Sequence, residues 1–229
     1  MTTGHHAHPE RRTGEGAENY AKAIYHLQSR GEGAVGTGAV AERLGVTPAS
    51  ASAMLKRLAD ENLVTYTPYH GVRLTAPGEQ LALEVMRHHR LLELFLAEVL
   101  GMPWDRVHEE AEVLEHHISE ELEELIATKL GDPDRDPHGD PIPSRELDIA
   151  DDPSLALEEM RAGDEGVFVR ISDSDAAMLR YLAERGIHPG ARLLIRAREP
   201  FGGPIRVEVD GTEHVLGGVV VERMRVARG

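Results

Sequence analysis

The sequence contains no cysteine. That excludes disulfides, thiolate metal sites and thiol catalysis, and it points to a reducing, cytoplasmic compartment. No apolar run approaches the roughly 18 residues that a membrane span needs, so no membrane partner is expected. The opening residues, MTTGHHAHPERRTGEGAE, lack the apolar stretch of a secretory signal. The HExxH zinc-protease helix, the GxSxG nucleophile elbow and the P-loop are missing as well. Ser50 and Ser52 have no base in their sequence context, so no enzyme is expected. Positive charge is scarce: 25 Lys+Arg stand against 40 Asp+Glu, a formal charge of −15. Nucleic-acid-binding domains are usually basic, and the total taken alone argues against one.

The distribution of the charge reverses that inference. Residues 1–76 carry a net charge of +1, residues 77–145 carry −11 and residues 146–229 carry −5. The deficit therefore sits in the middle third, which also holds His88, His89, His108, His116 and His117. With 229 residues and 41% hydrophobic content, the chain has material for one large domain or two to three small ones of about 100–150 residues each.

The periodicity predicts a mainly α protein with a β C-terminal domain. Residues 1–16 read as a flexible polar arm. Its His5, His6 and His8 are expected to do nothing specific, because termini are commonly loose. Helices are expected over 18–28, with Tyr20, Ile24 and Leu27 on one face, over 37–44 and over 47–62. A hairpin of 64–67 and 71–75 follows. Two long helices, 77–100 and 104–129, are expected around Gly101-Met102-Pro103. The Pro- and Asp-rich stretch 131–153 reads as loop and linker. Beyond it, strands at 166–171, 192–197, 205–209, 213–216 and 219–226 and one helix at 176–185 suggest a small β-barrel.

Residues 37–64, TGAVAERLGVTPASASAMLKRLADENLV, have the grammar of a helix-turn-helix. Ala41 is small where two helices would cross. Gly45 sits where the turn needs a residue without a Cβ. Thr47 is a good N-cap and Pro48 suits the first helical turn. The third helix then presents Thr47, Ser50, Ser52, Ala53, Lys56 and Arg57 to bases and phosphates. The hairpin supplies Tyr66, Tyr69, His70 and Arg73 as a wing. Double-stranded DNA is the expected partner, with part of the specificity read from DNA shape.

In VHEEAEVLEHH, residues 107–117, a continuous helix at 3.6 residues per turn gathers His108, Glu112, Glu115 and His116 within an arc of about 100°. Val107, Leu114, Ile118 and Leu125 would lie beside it, facing the core. On the preceding helix His89 and Glu93 are one turn apart. Any one of these residues alone is an ordinary solvated side chain. Six N/O donors on two adjacent helices suit one or two divalent transition ions. His88 and His117 are left out as ligands. Glu109, Glu110, Glu120, Glu121, Glu123 and Glu124 read as a solvated face.

These motifs resemble the diphtheria-toxin-repressor family of metal-dependent transcription regulators, which includes the manganese transport regulators. The resemblance rests on ENYAKAIYHL, VAERLGVTPASASAMLKRLADENLV, GVRLTAPGEQLA, MRHHRLLELFL, VHEEAEVLEHHISEELEE and HGDPIP. The block YLAERGIHPGARLLI…PFGGPIRVEVDG looks like the SH3-like domain of the longer members. The resemblance implies a flexible arm at 1–16, a winged helix-turn-helix over 17–76 and a helical metal-binding and dimerisation domain over 77–145. A linker at 146–157 and an SH3-like domain over 158–229 complete it.

It further implies an ancillary metal site of His89, Glu93 and His108, with Asp173 or Asp175 as a further ligand. A regulatory site of Glu112, Glu115, His116 and Asn19 is implied beside it. Iron-type members have Met at the position of Asn19 and Cys at that of Glu112; manganese-type members have Asp and Glu. Lys22 stands where short manganese regulators carry a carboxylate. Mn(II) is favoured over Fe(II). The function implied is a homodimeric repressor that binds metal and then operator DNA of metal-homeostasis genes. An Fe(II)-dependent repressor, a metal-independent DNA binder, and a metal-storage or metal-dependent hydrolytic protein are the alternatives.

Overall fold

A computed structural model describes residues 14–229 apart from Arg30, Glu32, Asp173 and Ser174. The expectations for His5, His6, His8 and Asp173 lie outside the described residues. The chain divides into two compact units between Met86 and Arg87.

The first unit has helices α1 (Glu15–Gln28), α2 (Thr37–Arg43) and α3 (Pro48–Asp60), then strands β1 (Val64–Thr67) and β2 (Gly71–Leu74). Glu15 and Gly16, expected in the polar arm, belong to α1. Gly45 turns the chain between α2 and α3 at φ +64, a conformation with little penalty only without a Cβ. Thr47 caps α3, its Oγ1 accepting from Ser50 N at 3.1 Å. β1 and β2 pair antiparallel from Val64↔Leu74 to Thr67↔Gly71. Val35 adds an isolated bridge to Val72. Ile24, Val40, Ala51, Leu55, Leu58 and Val72 form the sealed core of this unit. Burying each of the larger ones stabilises the unit by about 1.5–3 kcal/mol.

Helix α4 (Ala76–Glu98) begins in the first unit and continues into the second. The second long helix expected over 104–129 is two helices, α5 (Val107–Leu114) and α6 (Glu120–Leu130). Ser119 causes the restart: its hydroxyl accepts from Leu122 N at 3.2 Å, and this cap competes with a continuous helix. The helical-wheel grouping therefore fails beyond Leu114. Val107 and Ile118 are buried, whereas Leu114 and Leu125 are exposed.

Residues 131–145 are a packed segment, not a linker. Asp136, His138 and Ile142 are buried. Asp136 Oδ1 accepts from His138 N at 2.8 Å and Asp140 N at 3.0 Å, a side-chain turn that aspartate favours. Gly139 has φ +88, and a Cβ there would lie 1.8 Å from Val169 O.

The C-terminal sheet has six antiparallel strands in the order β3-β8-β4-β5-β6-β7. They are β3 (Leu155–Ala156), β4 (Glu165–Arg170), β5 (Arg192–Arg198), β6 (Ile205–Val209), β7 (Thr212–Leu216) and β8 (Arg225–Arg228). Helix α7 (Ala176–Ala183) and the short helix α8 (Val219–Arg223) accompany them. The strand expected over 219–226 thus begins only at Arg225. The valine run was a strand signal, but a helical turn buries Val221 and Met224 and leaves Val219 outside. Phe168, Ile171, Leu179, Leu182, Ile195, Val207 and Val226 fill the core.

Candidate metal centre and DNA-binding surface

Two successive turns of α4 carry Arg87, His88, His89, Arg90 and Glu93, and all but the partly exposed Arg90 are buried. Burying an ionised carboxylate is costly unless charges or donors face it. Here imidazoles face it. His89 Nε2 lies 3.0 Å from Glu93 Oε1, and His108 Nδ1, on α5, lies 3.1 Å from the same oxygen. On its other side His89 Nδ1 lies 2.5 Å from Glu115 Oε2 and 3.8 Å from Glu112 Oε1. Among the described residues four donor groups have their ligand atoms within 4.8 Å of one another: His89-Glu93-His108, His89-Glu112-Glu115, Glu93-Asp136-His138 and, apart from these, His88-Glu120-Glu123, which includes the His88 left out as a ligand.

Electrostatics set the groups apart. Burial pushes Glu93 up, but the charge of His89 and the facing imidazoles of His108 and His138 outweigh it. They hold the carboxyl well below the usual range. Burial pushes Asp136 well above it, reinforced by the charges of Glu93 and Asp140 against the weaker pull of His138 and Arg90. Glu93 Oε2 is buried with no hydrogen-bond partner among the described residues and lies 3.6 Å from His138 Nδ1. A buried acceptor facing a ring nitrogen and a second carboxylate is the environment a divalent cation satisfies, so the residues fit a metal.

His116 stands apart. Because α5 ends before it, its Nε2 points to Glu115 Oε1 at 3.5 Å. It enters no three-residue donor group among the described residues. Asn19 lies half-buried on α1, in the other unit. Asp175 caps α7, accepting from Met178 N at 3.1 Å. The acidic face needs one correction. Glu109, Glu110, Glu120, Glu121 and Glu124 are exposed, but Glu123 is buried. It pairs with Arg87 and accepts from His88 Nε2 at 3.0 Å.

In the first unit, α3 exposes Ser50, Ala53, Lys56 and Arg57, with Ser52 half-buried. Tyr69, at φ +67, and Arg73 project from the hairpin. Between them lies a cleft of about 430 Å³ lined by Thr37, Ser52, Lys56, Tyr66, Tyr69 and His70. Tyr66 OH accepts from Thr37 Oγ1 at 3.4 Å. Hydrogen bonding to Thr37 and Ser52 lowers its pKa.

Three family models match in succession. The iron-dependent repressor N-terminal DNA-binding domain covers residues 12–72, the iron-dependent repressor metal-binding and dimerisation domain covers 75–144, and the FeoA domain covers 155–228. The iron-dependent repressor IdeR of Mycobacterium tuberculosis is 33% identical over 210 residues, 86% of this chain and 90% of the relative. The diphtheria toxin repressor of Corynebacterium diphtheriae is 35% identical over 126 residues, 55% of each chain. A manganese-dependent transcriptional repressor in complex with manganese superposes with a TM-score of 0.85 at 42% identity, over 93% of this chain and all of that one. The chain belongs to the diphtheria-toxin-repressor family.

It is thus a metal-dependent transcriptional repressor and not an enzyme. Its DNA-binding domain is the winged helix-turn-helix and its sheet domain is SH3-like. No described helix is long and apolar enough to cross a membrane. Sequence reasoning on this repressor missed Asp136 and His138. His138 opens the quoted HGDPIP motif and Asp136 lies two residues before it, but the surrounding prolines read as linker and hid the packing. Thr37, which also lines the cleft beside α3, carries no signal beyond starting a helix.

Proposed function

We propose that this repressor responds to Mn(II) through two adjoining donor sets and then binds operator DNA of metal-homeostasis genes as a homodimer in the cytoplasm. The first set is His89, Glu93 and His108, extended by Asp136 and His138. The second is Glu112, Glu115 and His116, joined by Asn19 of α1. The observation that carries the reading is the buried Glu93 carboxylate, ringed by His89, His108 and His138.

A divalent cation supplies, when bound, positive charge for carboxylates the fold has already desolvated. The residues do the rest. Glu93 and Glu115 are fixed by packing, His89 spans both, and Glu112, only half-buried, stays at the mouth. With no cysteine in the sequence and no methionine in either set, all the proposed donors are oxygen or imidazole nitrogen, a combination that suits Mn(II). Fe(II) is the second reading, favoured by the imidazole share of the donors.

The dimer reading rests on α5 and α6, where Val113, Leu122 and Leu125 are exposed apolar residues. A second copy would cover them and space two α3 helices about one DNA turn, roughly 34 Å, apart. Thr47, Ser50, Ser52, Ala53, Lys56, Arg57, Tyr69 and Arg73 would then contact DNA.

The test is operator binding with Mn(II), with Fe(II) under anaerobic conditions, and in EDTA. Binding only with metal is expected, and Glu112→Ala should abolish the dependence without unfolding the chain. Equal affinity in EDTA and in metal overturns the reading.

A further inference from the structure

The only tryptophan of the sequence, Trp104, lies between the helical part of the second unit and its sheet domain. We propose that Trp104 is a positioning residue for His138, and that the SH3-like domain acts on the metal centre through it. The proposal rests on the reading that Glu93, Asp136 and His138 hold a cation.

His138 Nε2 lies 2.8 Å from the carbonyl oxygen of Trp104. A carbonyl only accepts, so Nε2 carries the proton. In the neutral imidazole Nδ1 is then the bare nitrogen, the form that ligates metal. Nδ1 is also the atom that faces Glu93 Oε2. The backbone of Trp104 thus selects the tautomer of His138.

The side chain of Trp104 fixes the ring plane. Its indole stacks on His138 with centroids 5.7 Å apart and planes at 22°. His188, in the turn after α7, packs against the same indole at 4.9 Å and 60°. Next along the chain, Asp105 accepts from Arg180 of α7 at 3.1 Å and anchors the loop to the sheet domain. The backbone of His138 is held from the same side, its carbonyl accepting from Ile171 N at 3.0 Å. Loss of either His188 or the indole would free the imidazole to turn within its pocket. Groups that orient a ligating histidine typically matter by about 10–100-fold in metal affinity.

The test is calorimetric titration of the full chain with Mn(II), with apo-protein melting in parallel, for Trp104→Ala, Trp104→Phe, His188→Ala and His138→Ala. The proposal expects one class of bound ion to weaken about 10–100-fold in Trp104→Ala. His188→Ala should weaken the same class, and Trp104→Phe should restore most of the affinity. The second class should be unchanged, and the apo-protein of His188→Ala and Trp104→Phe should melt as wild type. A merely structural role would lower melting and both classes together. Wild-type affinity in His188→Ala and Trp104→Ala overturns the proposal; should Trp104→Ala fail to fold, His188→Ala decides alone. If His138→Ala leaves ion stoichiometry unchanged, the underlying site assignment fails instead. In wild type, Trp104 emission should change at the concentration where that ion class fills.

Discussion

His89 Nδ1 lies 2.5 Å from Glu115 Oε2, while the opposite ring nitrogen lies 3.0 Å from Glu93 Oε1. One imidazole therefore touches carboxylates of both donor sets. The family resemblance implies that the sets are separate, as an ancillary and a regulatory site. In the structure they share a residue, so occupation of one constrains the ring that the other needs. Coupling between sites is reciprocal in binding free energy.

A His89→Ala substitution is accordingly expected to weaken both classes of bound ion, whereas His108→Ala should weaken one. Calorimetric titration with Mn(II), checked by native mass spectrometry for ions per chain, separates the outcomes. Loss of a single class in His89→Ala would show that the two donor sets act independently.

Behind this centre lies a buried charge cluster, with the exposed Glu120 carboxylate 3.9 Å from His88 Nε2 at its edge. Glu123 pairs with Arg87 and with His88 Nε2, and His88 Nδ1 lies 3.2 Å from the carbonyl of Glu115. Burial pushes Glu123 up, but His88 and then Arg87 outweigh it, holding the carboxyl below its ordinary value of 4.5. A depressed carboxylate contributes stability that is present above its unfolded pKa and lost as pH falls toward the folded one. Glu123→Gln should cost about 3–5 kcal/mol near neutrality, because buried Arg87 loses its counter-charge. The gap from wild type should narrow as pH drops below 4.5. Urea midpoints across that range check it; a constant gap would contradict the pairing.

The helix-turn-helix was legible because its signals are local: Gly45 for the turn, Thr47 for the cap and the hydroxyl-rich face of α3 each act within a few residues. The break between α5 and α6 was not. Neither glycine nor proline interrupts HHISEELEE, and only Ser119 marks the restart. Residues 136 and 138 were hidden for a different reason. Proline and aspartate favour turns in any context, and what makes this turn a buried one is the approach of Val169 and Trp104, far away in sequence. Glu123 went wrong by the same route, since a carboxylate in an acidic run reveals nothing of the arginine and histidine folded against it.

Gly139 tests that tertiary approach. At φ +88, with a Cβ 1.8 Å from a backbone carbonyl, alanine must displace either the loop or β4. The left-handed conformation alone costs about 1–2 kcal/mol for a residue with a Cβ. Gly139→Ala should destabilise the chain by more than that and weaken the ion class that depends on His138. Denaturant melts with and without Mn(II) measure both effects. A variant with unchanged stability would mean that β4 yields easily, and that His138 is not clamped from that side.

On the DNA face, the two cations of α3 are not equivalent. Arg57 Nε is held by Glu61 Oε1 at 2.8 Å, one helical turn away, whereas Lys56 lines the cleft beside Ser52 and Tyr66. Each neutralised phosphate contributes about 0.9 to the slope of log affinity against log salt on duplex DNA. Lys56→Ala should weaken binding to every sequence alike and flatten that slope by about one phosphate. Glu61→Ala should act in the opposite direction, since it frees Arg57 and removes a negative charge near the backbone. The exposed pair itself is worth little to stability, so the variant should fold as wild type and bind more tightly. Fluorescence anisotropy with operator and scrambled duplexes over a salt series reads both changes. A loss confined to the operator in Lys56→Ala would assign that lysine to base edges instead of phosphate.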